Sequence, residues 1–338
     1  MELGLGDEQQ AIDELFASFF EKECPPERVR GAEPLGFDPE LWMRFAETGA
    51  PGMGLPESEG GSAASVLDAA LVAESLGRVL APLPFIEHFV ASRLLARAGA
   101  APDDLAPGAA IATLALRPVR GDTAPLVPAG AVARHVVAKA GDELVLVSDE
   151  PLGRAPANFA SLPLADRAVR NDTPGRSVIA AGDEAARLFE GAVDEWRVLT
   201  SAALVGLSQR AFEIGLAYTK EREQFGRLIG SFQALQHGLA DIAVLLDGAR
   251  LLARKAAWAF AEAQQDAARL AGMAWVFCGD LAPVATGRAL HYHGGVGFSL
   301  EYDIQLYHRR AKGWQLVLDD PAVEVERLSD VMFGASLR

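Results

Sequence analysis

Apolar positions in the first third of the chain recur at helical steps. In DEQQAIDELFASFFEKE, Ile12, Leu15, Phe16, Phe19 and Phe20 fall three and four residues apart, which predicts an amphipathic helix. DPELWMRFAETG predicts a second, with Asp38 as N-cap and Pro39 at the first helical position, where a missing amide hydrogen costs nothing. After the loop GMGLPESEGGSAAS, a third helix is expected in SVLDAALVAESLGRVLA, closed by PLPF. From about residue 104 the texture changes. HVVAKAGDELVLVSDE alternates, is β-branched and turns at Gly141-Asp142, so it predicts a hairpin, and APGAAIATLALRP and RSVIAAG are further strand candidates. From about residue 186 helices return. The segment from Asp194 to Tyr218 is apolar on most faces and is expected to be buried. Leu235, Leu239, Ile242, Leu246, Ala249, Ala253, Ala256 and Phe260 keep a 4-3-4-3 rhythm, the mark of a bundle or subunit seam. GDLAPVATGRALHYHGGVGF is expected to restart a helix near Pro283 and end it at Gly294-Gly295. The fold class is therefore mainly α with a small β-domain, divided at 1–103, 104–185 and 186–338.

Composition narrows the function. A formal charge of -15 argues against nucleic acid or an anionic membrane as the main partner, so an anionic ligand must be met by a few local cations. Cys24 and Cys278 are too few for a disulfide framework or a cysteine metal site. The start MELGLGDEQQ has no basic and then apolar run of the signal-peptide kind, and no uncharged run of membrane-spanning length is evident, so a cytoplasmic protein is expected.

Two stretches interrupt the helical texture with chemistry. TKEREQFGRLIGSFQALQHGLADI presents Arg222, Phe225-Gly226 and Phe232-Gln233. An arginine at a helix end reads either as a surface ion pair or as a forked, charge-assisted contact to a phosphate. The two phenylalanines read as a core staple and a helix start, and the Gln233 amide alternatively as a partner for an adenine edge. HYHGGVGFSLEY carries adjacent glycines, which permit close backbone approach. His291 and His293, two residues apart, lie on different helix faces with no carboxylate to complete a set, so no metal is expected.

Together these pieces resemble the acyl-CoA dehydrogenase family over nearly the whole chain. ETGAPGMGLPESEGGSAASVLDAALVAESLGRVLAPLP looks like the family's N-terminal helical domain. RVLTSAALVGLSQRAFEIGLAYTKEREQFGRLIGSFQALQHGLADI looks like its third-domain signature, and ALHYHGGVGFSLEYDIQLYHRRAK like its Gly-Gly-x-Gly segment. The resemblance implies an α, β-barrel-like, α architecture and assembly as dimers or tetramers. It also implies FAD as cofactor and removal of hydrogens from Cα and Cβ of an acyl-CoA thioester. It implies that Arg222, Gln224 and Phe225 reach the FAD of a neighbouring subunit, with Phe232 and Gln233 near the adenine. His291, Tyr292, His293, Gly294 and Gly295 would lie along the pyrophosphate and ribityl chain, and Asp194 and Arg197 would contact the acyl-CoA.

The resemblance breaks at the base. The chemistry needs a carboxylate over Cα while the flavin accepts hydride. One family position for that glutamate falls on Leu318, after the run RRAK, and the other on Trp196. The family's loop and strand that hold the flavin ring are missing between Asp104 and Ala138. The chain therefore resembles the shorter, catalytically incomplete subunits of α2β2 enzymes of actinobacterial steroid side-chain breakdown. Such a subunit works as a heterotetramer with a catalytic partner and passes electrons to an electron-transfer flavoprotein or a similar acceptor. Two other readings stay open: a self-sufficient dehydrogenase with a displaced base (Glu195, Asp319 or Asp320), and a non-enzymatic scaffold.

Overall fold

The computed structural model describes residues 4–334. The helices α1 (Asp7–Glu23), α2 (Pro26–Gly31), α3 (Pro39–Ala46), α4 (Val66–Val79) and α5 (Phe85–Arg97) come first. The predicted starts are visible in the caps. Asp38 accepts from the Leu41 amide at 3.0 Å, and Ser65 and Asp68 form a reciprocal capping box ahead of α4. Their four-residue spacing turns Phe16 and Phe20 of α1 inward onto Phe45, which meets Phe85 edge-on at 5.4 Å. The sequence reading did not separate α5 from the turn before it, because PLPF gives a stop and α5 begins on its last residue.

The strands β1 (Ala112–Leu114), β2 (Thr123–Val127), β3 (His135–Ala140), β4 (Glu143–Ser148), β5 (Ala165–Ala168) and β6 (Arg176–Ala181) follow. A four-stranded sheet runs β1-β3-β4-β6, with β1 parallel to β3 and the other pairs antiparallel; β2 and β5 form a separate pair. The β3–β4 hairpin closes at the expected place, Ala140 facing Glu143 with Gly141 at φ 67°. The β2–β5 pair was not anticipated, since neither strand shows an uninterrupted alternation.

The last part holds α6 (Gly182–Glu221), a short hairpin β7 (Glu223–Gln224) and β8 (Arg227–Leu228), α7 (Gln233–Ala261), α8 (Ala267–His293), α9 (Ile304–Trp314) and α10 (Pro321–Phe333). Every residue from Val193 to Ser208 is buried, as the apolar run predicts. In α7, Ile242, Leu246, Ala249, Ala253 and Ala256 are buried within the chain's own bundle, so the seam belongs to the bundle. What α7 exposes is a different set, including Val244, Leu245 and Leu251. The expected restart at Pro283 is corrected: α8 runs unbroken through it. Burial of Leu281, Ala282 and Ala285 holds the helix on both sides of it. The stretch Ala267–Phe298 is long and apolar enough to cross a membrane by length and composition alone, and 61% of its most apolar window is buried inside the fold.

Two glycines set the distance between the first and last parts. A Cβ at Gly77 of α4 would overlap the Ala203 carbonyl of α6, and one at Gly206 of α6 would overlap the Glu74 carbonyl of α4. The two helices therefore cross backbone to backbone. Gly206→Ala is expected to destabilise by about 3 kcal/mol, because neither rigid carbonyl can retreat, as read by urea unfolding.

His88 joins α5 to the sheet. Its ring is fully buried, edge-on to Trp42, and its Nδ1 accepts from the Ala112 amide at 3.1 Å. Burial pushes its pKa down to about 4. The unfolded chain thus takes up this proton below about pH 6.5 while the folded chain refuses it, so stability present above that pH is lost as pH falls toward 4. His88→Asn keeps an acceptor for the amide without the titration. Between pH 7 and pH 5 the wild type is expected to lose about 2 kcal/mol more than this variant in chemical unfolding.

Candidate functional site

The positions named from the sequence separate into an exposed rim and a closed interior. The rim lies at one end of the last bundle, where α6 and α8 end and α7 begins. His293 of α8 stacks on Tyr218 of α6 at 4.1 Å, and Arg288 of α8 donates to the Gly238 carbonyl of α7 at 2.9 Å. Arg222 caps α6 through its backbone, which donates to Tyr218 O at 3.0 Å, and its exposed side chain has no ion pair among the described residues. Beyond it β7 and β8 pair through Phe225-Gly226, both at positive φ (55° and 74°), the signature of a two-residue hairpin turn. A left-handed phenylalanine costs about 1 kcal/mol or more, and this one is also 93% exposed. The side chain touches Phe232 edge-on at 6.2 Å, and Arg227 lies over the Phe232 ring at 4.1 Å. Gln233 opens α7, exposed, at a helix start with no side-chain cap. Gln224 is exposed and donates to its neighbour's carbonyl at 2.7 Å.

The glycine segment divides. Gly294, at φ 64°, and Gly295 are exposed, with open space where a Cβ would stand. His291 is exposed too. Two of its neighbours are corrections to the sequence reading. His293 is buried, its ring nitrogen 2.7 Å from the Ala289 carbonyl, and Tyr292 packs over Gly238 of α7, where burial raises its pKa. Both pack against the helix end, His293 buried and Tyr292 half-buried. Phe298 and Leu300, just beyond, are exposed apolar side chains that composition alone did not single out.

In the interior the carboxylates are already engaged. Arg197 donates to Asp194 at 2.8 Å and to both oxygens of Glu324 on α10, at 2.9 and 3.2 Å. Burial raises the Asp194 pKa against the pull of Arg197 and Arg327. Asp194 and Arg197, expected to contact a ligand, instead tie α10 to α6. Glu195 is 1% exposed and accepts from Arg93 at 3.2 Å and Arg97 at 2.7 Å, so it is not placed as a displaced base. Asp319 and Asp320 are exposed: the first accepts from the Asp320 amide, the second caps α10 at Ala322. Leu318 is buried.

Trp196 donates to Glu87 of α5 at 3.4 Å. Burial raises the pKa of this carboxyl, which has no cation beside it among the described residues. Glu87 was missed in the sequence, where it sits in an apolar helix with only its own out-of-place charge as a signal. The surrounding space is a cavity of about 60 Å³ at the junction of the three parts. One side is closed by a middle-domain loop. A Cβ at Gly36 would overlap the Ser161 carbonyl, and one at Gly313 would overlap Ala160 Cβ.

Glu195→Gln is expected to destabilise the chain by about 2–3 kcal/mol in urea unfolding, since it leaves two guanidinium groups facing a neutral amide. The figure lies at the low end for buried pairs because Arg97 is 43% exposed and partly screened.

Comparison with known proteins agrees with this architecture. Residues 6–101 match the acyl-CoA dehydrogenase N-terminal domain and residues 186–317 the C-terminal domain. The chain is similar to acyl-CoA dehydrogenase IpdE2 of Mycolicibacterium smegmatis, 31% identical over 97% of this chain and 100% of that one. It is 32% identical to IpdE2 of Mycobacterium tuberculosis over 95% and 96%. Among solved structures, a variant of the Tcur3481-Tcur3483 steroid ACAD superposes with a TM-score of 0.87 at 25% identity, covering 99% of this chain and 100% of that one. A chain of the ChsE4-ChsE5 complex of Mycobacterium tuberculosis has the same fold, with a TM-score of 0.84 at 24% identity and coverage of 98% and 99%. With matches to both helical domains and full-length relatives at this identity, the chain belongs to the acyl-CoA dehydrogenase family.

Proposed function

We propose that this chain is the subunit of a heteromeric acyl-CoA dehydrogenase that contributes FAD contacts to a catalytic partner and holds no complete site of its own. The observation that carries the reading is the contrast between rim and interior. At the rim a guanidinium, an amide, an uncapped helix start and two open glycines are free to receive a nucleotide. In the interior both base positions hold apolar or aromatic side chains, Leu318 and Trp196. The space beside them is about 60 Å³, against roughly 300–1,000 Å³ for sites that take drug-sized ligands. The residues thus fit the diphosphate and adenosine end of FAD at the rim, and they do not fit its ring in the interior.

FAD is the cofactor of this family and, when bound, supplies the hydride acceptor. In this reading Arg222 pairs with its phosphates, Gln233 and the start of α7 meet polar groups of the adenosine end, and Gly294-Gly295 allow close backbone approach. Phe225 covers the nucleotide and excludes water. The strain and exposure of Phe225 support docking against a second subunit, where burial offsets both. The engaged state of Glu195 and the capping role of Asp320 weigh against a self-sufficient enzyme, and the free rim weighs against a bare scaffold. Likeness to a structure described as a Tcur3481-Tcur3483 steroid ACAD supports a steroid-derived acyl-CoA as substrate, and a heterotetramer is the assembly proposed with it. An electron-transfer flavoprotein or similar carrier is the proposed acceptor.

Flavin absorbance against protein concentration on the sized, purified complex is the test. Half as many FAD as subunits is expected; one per subunit would mean that the closed interior holds flavin and would overturn the reading. Arg222→Ala in the same complex is expected to weaken FAD binding about tenfold with the fold unchanged, since one charge-assisted phosphate contact is lost.

A further inference from the structure

The glycine segment at the rim hangs between two supports that belong to different parts of the chain. Its first end continues α8: a Cβ at Gly297 would crowd the Leu290 carbonyl and His293 Cβ on the last turn of that helix. Its far end leads into α9, which is fastened to the N-terminal helices. Tyr307 donates to the Arg78 carbonyl near the end of α4 at 2.9 Å, and Arg309 donates to Glu33, just past α2, at 2.7 Å. Arg30 of α2 reaches the lead-in to α9 itself. Its Nη2 donates to the Asp303 carboxylate at 2.6 Å and its Nε to the Leu300 carbonyl at 3.3 Å. One forked side chain thus holds two points three residues apart, and 273 residues separate it from Asp303 in the sequence.

Asp303 stands where a helix cap is expected. An aspartate just before a helix ordinarily turns its carboxylate back onto the first free amides of that helix. Asp303 makes no such bond to α9. Its backbone is αR (φ -67°, ψ -29°), not the extended form a capping side chain uses, and its carboxylate goes to Arg30. Asp38 and Asp320, before α3 and α10, have the extended backbone and do cap. A local preference given up for a contact with a distant segment marks a place where the long-range contact matters. Stability alone does not account for it, because Arg30 is 29% and Asp303 38% exposed, and water screens the pair. What the tie fixes is the far end of the segment that joins α8 to α9. Gly294 and Gly295, exposed and with open space where a Cβ would stand, lie within that segment. We propose that Arg30 is a positioning residue: through Leu300 and Asp303 it sets how Gly294-Gly295 are presented to the diphosphate of FAD. The N-terminal helices thereby control a cofactor contact made by the last bundle. This rests on the flavin-contributing role and adds a residue and a domain that the role does not itself use.

The test has two arms. Hydrogen exchange is read on the full chain alone, without FAD or partner, in peptides covering Gly294 to Asp303. Arg30→Ala is expected to speed exchange there about three- to fivefold while α6 and α8 keep their protection. FAD affinity is then measured on the purified complex. Arg30→Ala and Asp303→Asn are each expected to weaken it about three- to fivefold, the size of a partly screened ion pair written as an equilibrium constant. Arg30→Lys should weaken it less, since a point charge keeps Asp303 but cannot also span to Leu300. Arg44→Ala is the control for stability: Arg44 is another partly exposed arginine of the N-terminal helices, paired with Glu23 and Glu40. It should lower the urea midpoint at least as much as Arg30→Ala does and leave FAD affinity unchanged. An equal loss of FAD affinity in Arg44→Ala would reduce the effect to general stability and overturn the proposal. Unchanged exchange in Arg30→Ala, or unchanged FAD affinity in it while Arg222→Ala weakens binding, would overturn the proposal and leave the flavin-contributing role standing. Unchanged affinity in Arg222→Ala as well would overturn both.

Discussion

The backbone crossing of α4 and α6 is the constraint on which the rest of this molecule depends. Gly77 against the Ala203 carbonyl and Gly206 against the Glu74 carbonyl leave no room for a methyl group on either side. At that separation, Trp196 and Thr200, two or three turns before Gly206 on α6, come against the turn that links α4 to α5. The tryptophan then reaches Glu87, and the space beside the family's base positions is small before the middle domain adds its loop. Once the helices cross this closely, side-chain volume at 196 and 318 decides what can enter. Both positions carry large apolar groups.

Charge is distributed unevenly over this frame. Inside, Glu195 is held by Arg93 and Arg97, and Arg197 by Asp194 and Glu324, so each ionised group offsets the desolvation of its neighbours. These networks fasten α5 and α10 to α6 and leave Glu87, which accepts from Trp196, as a carboxyl at the centre of the fold with no cation beside it among the described residues. Arg310, whose nearest carboxylate oxygen is Glu33 at 3.8 Å, is one of the buried cations among the described residues that keep an unpartnered nitrogen. At the rim the situation is reversed: Arg222 has no ion pair among the described residues, Phe225 is exposed in a strained turn, and the helix start at Gln233 has no side-chain cap. In a protein of net charge -15 a surface arginine with no ion pair among the described residues, beside exposed aromatics, is conspicuous, and it supports the proposal that this end of the bundle receives an anionic group.

The sequence by itself determined what is set by local physics. The periods of apolar residues gave α1, α3, α4, α6 and α7. Asp38 marked a helix start, and Gly141-Asp142 marked the hairpin. The helical, β, helical order and the apolar identity of positions 196 and 318 needed no coordinates. Tertiary structure decided which charged groups remain free. Asp194 and Arg197 looked available three residues apart, until Glu324, 127 residues beyond Arg197, closed on them. His293 looked like part of an exposed glycine segment until Tyr218 covered it. The α7 seam is satisfied within the chain, and Pro283 passes through an unbroken helix because packing on both sides outweighs one lost hydrogen bond. Glu87, Thr200 and Arg310 line one cavity from three separate helices. Helix starts and turns are fixed by neighbours within a few residues, whereas the pairing of a buried charge is fixed by whichever distant segment packs against it. Only the folded chain brings that segment into place.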